Sequence, residues 1–501
     1  MSEIFVPGIS SRFNTPQMVE DLMRLERVPR DRAANNIERG EVERGFWQDI
    51  SRRASALQES ARHLFAFQNP FSDRVVRSSD DSVITGTATR NAIEQDRSFT
   101  VRQIAQADRF LSAPQEPDFR VEAGVFTFTV GEEEISLDFR GGTMREFVDA
   151  LNRRGGDMIQ ASLIAVRPGT NSLIIESRVT GAENRLGFSG AAIALGVEIG
   201  MIAPDESVDN PTGFRPLNAV STAQDAILMM EGIEISRPTN EINDLLPGVT
   251  LNIRETSDRP IRLQIAPDRE AIKDAIIAFV GNYNRLMAEI NILTRNDPRV
   301  VDELTFLTMD EREDALDRLG AFAGNTTLLN MRNSLMRIVS SPFETSDENN
   351  LALLAQIGIS TDPRRAGSGI GGADPSRLRG YLDIDERVLD MALDTRLPGI
   401  RQLFGNDTTG DLLVNTGVAF AIDSLTRAHT DRSGIFAQQT NNIDSRIAAE
   451  RQRVTTLDRQ LASREADLRR QFSQMEGAFN RMEQMSQSLD NFQLQNRNNF
   501  R

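Results

Sequence analysis

Hydrophobic and polar positions change their period twice along the chain. Residues 1–14 are polar and contain glycine, with no periodicity. Thr15 then offers an N-cap hydroxyl, and Pro16 suits the first helical position. Met18, Leu22 and Leu25 form an apolar helical face that should end before Pro29. Residues 30–45 are charged and broken by Gly40 and Gly45, so they read as a flexible or weakly helical connector. Trp47, Ile50, Ala54, Leu57, Ala61 and Leu64 then alternate at three and four residues, predicting a second helix that stops near Pro70.

After Asp80 the period falls to two. Phe99 and Val101, then Phe126, Phe128 and Val130, then Ile135, Leu137 and Phe139 read as half-buried strands. Thr143 with Glu146 predicts a capping box opening a short helix that carries Phe147 and Leu151. Further strands are expected around Pro168-Gly169, at Ile233 and Ile235, at Val249 to Ile253 and at Ile261 to Ile265. The Gly/Pro/Asp/Asn-rich stretch at 204–218 reads as a return linker.

At Pro267-Asp268 the helical period returns, with Ile272, Ile276, Phe279, Tyr283, Leu286, Ile290 and Leu293 in unbroken 4-3 alternation. Leu328, Met331, Leu335 and Ile338 mark a later helix, and residues 363–375 are rich in glycine and proline. The C-terminus is the most regular part. Ile447, Val454, Leu461, Leu468, Met475, Met482 and Leu489 recur every seven residues, with no proline inside the run. Such a heptad marks a coiled coil, roughly 70 Å long at about 1.5 Å per residue. A second seam of Leu457, Phe472, Phe479 and Met485 is interrupted by Glu450, Arg451, Arg464 and Glu465. Two arrangements fit equally: a helix meeting several neighbours, or one folded back on its own chain. Either way so narrow a stripe needs a partner.

The order helix, sheet, helix predicts an α+β, multi-domain protein in which N- and C-terminal helices pair and a β-rich head is inserted between them. The expected parts are a leg of 1–45 with 430–501 and a helical shaft of 46–80 with 266–429. A head of 81–120 with 205–265 carries an inserted α/β piece at 121–204. A chain of 501 residues has room for about three or four domains.

Net charge of −16 argues against nucleic acid and anionic membranes as partners. With no cysteine, disulfides, thiolate metal sites and cysteine nucleophiles are excluded. No apolar run reaches the roughly 20 residues of a membrane span, and Met1–Ser10 lacks the layout of a cleavable signal. His63 and His429 are the only histidines, and His63, between Ala61 and Leu64, reads as a surface or helix-packing residue. Gly367, Gly369 and Gly372 match a dinucleotide fingerprint in spacing alone, without the strand and helix it requires. Asp80-Asp81 and Glu132–Glu134 read as solvated turns rather than acid/base pairs or calcium sites. No cofactor, metal or catalytic constellation is expected.

Several stretches together resemble one family, the flagellar hook-associated protein 2 or filament cap family. They are Gly8, Ser11, Phe13, Thr15, Val19, Leu22, Met23, Glu26 and Pro29; Asp225-Ala226, Gly232, Asn240 and Pro247 to Leu251; Asp268 through Leu286; and Gly380, Leu382, Asp385, Leu389, Leu403-Phe404, Phe472 and Met475. The resemblance implies a non-enzymatic assembly factor at the distal tip of the bacterial flagellum, secreted unfolded through the flagellar export apparatus. It implies a ring, often of about five subunits, whose legs touch flagellin or hook–filament junction proteins. On that reading the partner-binding leg residues are Met18, Leu22 and Leu25 with the stripe Ile447, Val454, Leu461, Leu468, Phe472, Met475, Phe479, Met482 and Leu489. The alternatives are a junction protein or secreted tip adhesin and, from another class, an enzyme with an acidic cleft.

Overall fold

The computed structural model describes residues 15–205, 213–304, 307–346, 350–361 and 379–499. Residues 1–14, with Gly8, Ser11 and Phe13, lie outside them, as do Gly367, Gly369, Gly372 and part of the expected linker at 204–218. The protein is α+β and multi-domain, and it divides into two compact units, Met1–Gln68 with Lys273–Arg501 and Asn69–Ile272.

In the helical unit, α1 spans Thr15–Phe65 without a break. The expected stop at Pro29 and the connector at 30–45 are therefore replaced by helix. Pro29 points to solvent, where water can take the carbonyl left without its N–H partner. The connector is helical because Val19, Met23, Ala33, Gly40 and Trp47 lie in one buried seam, three or four residues apart with Glu26, Arg30, Ile37 and Arg44 between them. Ala33 and Gly40 hold seam positions without looking apolar.

What covers that seam is the C-terminal helix α5 (Ile435–Asn499), which runs antiparallel to α1. At Gly40 the approach is so close that a Cβ would stand 2.8 Å from Ile447 Cγ1. Charged residues flank the contact: Arg44 pairs with Asp444 at 3.3 Å, Arg451 with Glu41 at 2.6 Å and Arg30 with Asp458 at 3.1 Å. Further up, α1 packs on α4 (Val418–Thr430), which in turn meets α3 (Thr326–Ser340), and Asn282 of α2 (Arg269–Thr294) donates to the Ala56 carbonyl of α1 at 3.4 Å. Trp47, fully buried, lies 5.0 Å from the Phe322 ring and 5.7 Å from Phe436. Gln58 is held by Thr430 at 2.8 Å and reaches the buried carboxylate of Asp423 at 3.3 Å.

The β-rich unit has two cores. One is built from Phe99, Val101, Leu228, Leu251 and Leu263, under an antiparallel sheet in the order Arg74–Ser78, Ile261–Pro267, Gln95–Gln103, Ala226–Met230, Ile233–Arg237. The other gathers Phe126, Phe128, Phe147, Leu173 and Phe188 around the hairpin Gly124–Val130/Glu133–Phe139 and a sheet containing Ile159–Ile164 and Ser172–Ser177. The capping box forms as expected: Glu146 accepts from the Thr143 amide at 2.8 Å, and Thr143 accepts from the Glu146 amide at 3.3 Å. That helix, Met144–Gly155, buries Phe147 and Leu151.

Where the chain passes between the two cores, Asp108 is 4% exposed. Its carboxylate accepts the amides of Leu186 and Ala223, both at 2.7 Å. Asn240 pairs with both backbone groups of Ala105, at 2.8 and 2.9 Å. Replacing Asp108 by Ala strands two buried N–H groups and should cost about 3 kcal/mol. The native-state exchange protection of the Leu186 and Ala223 amides should fall by that amount while that of α1 is unchanged; undiminished protection there would show that the carboxylate carries no load.

Candidate partner-binding surface

The residues expected to bind partners divide into two groups in the structure. Ile447 is buried against Gly40, and Leu468 is buried in a cluster with Val19 and Met23. Leu461 and Phe472 are half-buried against that cluster, and Val454 is half-buried in the same seam. This upper part of the heptad is thus used inside the chain. Val19 and Met23, rather than Met18 and Leu22, form the face of α1 that meets α5.

The register then decides what lies lower. With Val19 against Leu468, Thr15, the first described residue of α1, lies opposite about Phe472 of α5. Below that level the stripe turns outward: Met475, Phe479, Met482 and Leu489 are exposed, Met482 at 64% and Leu489 at 55%. Met485 shares this face. On α1, Met18, Leu22 and Leu25 are also open to solvent, Leu25 at 73%. A continuous heptad that is half sealed and half open is what a helix needs to anchor at one end and dock at the other.

Sequence reasoning missed a second exposed feature, the loop between Asn406 and Thr416. Leu412 is 93% exposed and Leu413 is 68% exposed, and Leu412 adopts φ +66°, where a branched side chain is strained. Asp407 braces the tip, one oxygen accepting the Gly410 amide at 2.7 Å and the other the Leu412 amide at 2.7 Å. The only sequence signal was the run of turn-forming residues.

Glu289, 3% exposed, is pushed up by burial against the pull of Arg318 and of Arg53 at 3.1 Å. Arg318 also pairs with Asp49 at 3.2 Å and lies over the Phe46 ring, 5.0 Å from its centre. His63 is on the surface, His429 is buried beside Phe436, and Asp80 caps a turn by accepting the Ser82 amide at 3.1 Å. Among the described residues no group of His, Asp and Glu could hold a metal ion, and no helix is long and apolar enough to cross a membrane.

Two family models match the chain, flagellar hook-associated protein 2 N-terminus over residues 11–108 and flagellar hook-associated protein 2 C-terminus over residues 223–484. The chain belongs to the flagellar hook-associated protein 2 family. The protein of that name from Treponema maltophilum is 29% identical, with 91% of this chain and 94% of the relative aligned. Its namesake from Treponema pallidum is 28% identical over 99% and 100%, and the A-type protein of Pseudomonas aeruginosa is 23% identical over 96% and 95%. The fold is similar to the D1-D2-D3 domains of the flagellar cap protein of Escherichia coli, with a TM-score of 0.51 at 23% identity over 80% of this chain and 99% of that one. As a member of the family the protein is a structural component of the flagellum, a filament cap. The junction-protein, adhesin and enzyme readings are not favoured by these matches.

The amides that brace the Asp407 loop yield a pH test. Burial raises the Asp407 carboxyl, but the Gly410, Leu412 and Thr409 amides outweigh it and hold the group below its ordinary 3.8. A depressed carboxylate contributes order that is full above its ordinary value and lost as pH falls through the folded one. The Gly410 and Leu412 amide shifts should therefore titrate with a midpoint below 3.8; a midpoint at or above that value contradicts the bracing.

Proposed function

We propose that the chain promotes flagellin polymerisation at the distal end of the filament, without catalysis, by touching filament subunits through the open half of its leg. The observation that carries this is the heptad of α5, buried or half-buried against α1 down to Leu468 and exposed from Met475 to Leu489. A stripe anchored in its own chain above and open below is fixed in direction yet has apolar surface to offer another helix. Met18, Leu22 and Leu25 add to that surface. Burial of the docked stripe contributes on the order of 25 cal/mol per Å², so contacts of this size can be made and released as subunits are added.

In this reading the β-rich unit supplies head-to-tail contacts that close a ring of about five copies. Hook–filament junction proteins and the export apparatus with its chaperone are the other partners. The chain leaves the cell unfolded and works outside it, or in the periplasm where the filament is internal. Family membership and the absence of cysteine are compatible with that route.

The test uses a strain lacking its own cap protein. Met475→Asp, Met482→Asp and Leu489→Asp together should leave the circular dichroism and export of the protein intact but reduce filament length at least about tenfold, because three apolar contacts are replaced by desolvated charges. Filaments of normal length from that variant would reject the leg contact.

A further inference from the structure

Helix α1 carries a second stripe beside its buried seam. Met18, Leu25, Arg32, Arg39 and Phe46 recur every seven residues, with Leu22, Val28, Asn35 and Val42 between them. Most of these positions lie one residue before a seam residue, about 100° round the helix from α5. From Met18 to Val42 the stripe is exposed, Val42 at 51%. Its upper end runs into a recess of about 710 Å³ where Arg39, Val42 and Phe46 face Ala321 and Phe322, with Glu38 and Glu43, the latter paired with Arg446 at 3.4 Å, also on its lining.

The stripe is apolar at both ends and cationic in the middle. Most arginines near it are engaged: Arg24 with Asp21, Arg27 with Glu20 and Arg30 with Asp458. Arg32 and Arg39 stand on the stripe itself and make no ion pair among the described residues. An apolar helix laid there would bury two unpaired guanidinium groups, which is costly. A basic helix would be repelled. A helix bringing carboxylates to both places would gain two charge-assisted pairs as well as the apolar contact.

We propose that this stripe seats an amphipathic helix from another protein, one whose apolar stripe is interrupted by two carboxylates about seven residues apart. Its upper end fills the recess at Phe46 and Phe322, and its lower end covers Met18, Leu22 and Leu25. The proposal goes beyond the capping reading and holds whether or not that partner is a filament subunit.

The probe is a designed helical peptide of about four heptads with leucines in its stripe and glutamates at two central stripe positions. A second version carries lysines there. Fluorescence anisotropy with the full chain at low ionic strength should show the glutamate peptide binding at least about tenfold more tightly. Arg32→Glu with Arg39→Glu should invert the preference, and Arg32→Ala with Arg39→Ala should remove it. Both positions are exposed on the helix surface and both replacements are acceptable in a helix, and circular dichroism checks that the variants stay folded. Equal binding of the two peptides, or a preference that the charge reversal leaves unchanged, overturns the proposal. Self-association of the unaltered chain that the reversal abolishes also overturns it, by giving the seat to a second copy.

Discussion

The helical unit depends on the close approach of α1 to α5 at Gly40. Two helices separated by leucine-sized side chains lie about 8–10 Å apart; here a bare glycine lets Ile447 come within 2.8 Å of where a Cβ would be. That contact sets the antiparallel register, and the register sets everything below it. It carries Val19 and Met23 to Leu468, and it places the exposed stripe from Met475 to Leu489 past Thr15, the first described residue of α1. The flanking ion pairs at Arg30, Arg44 and Arg451 are half exposed and screened by water, so they serve register more than stability.

Seen this way, one apolar pattern serves two ends. The upper α5 stripe is committed to its own chain and gives the leg its direction, while the lower stripe keeps the same chemistry available for another helix. Helix α1 repeats the division around its circumference, with a seam turned to α5 and a second face turned to solvent. The β-rich unit shows the opposite economy. Its two cores are joined through few chain passages, and buried polar groups such as Asp108 and Asn240 bind the passing backbone, so a connection with little apolar surface is held by hydrogen bonds to otherwise orphaned amides.

Much of this was legible in the chain. The period-two stretch, the Thr143 capping box and the C-terminal heptad announced strands, a short helix and a coiled coil, and the ordered motifs pointed to the family. The continuity of α1 was not legible, for a physical reason. Ala33 and Gly40 fill seam positions because the partner helix is near, and a residue chosen for smallness looks like a breaker when read alone. Pro29 misled likewise, since its cost depends on whether its face meets water. Which half of the α5 heptad is sealed against α1 could not be read either, because that follows from the pairing of Val19 and Met23 with Leu468 and not from α5 itself. The two arginines on the second stripe looked like ordinary connector charge until the helix placed them in line with Leu25 and Phe46.

The central claim is that residues 30–45 are helix sealed against α5. Amide hydrogen exchange across that stretch tests it most directly. Protection on Ala33, Ile37 and Gly40 comparable to that on Ala54 and Leu57 is the predicted result. Exchange there at the rate of an unstructured peptide, with protection only on either side, would contradict the account.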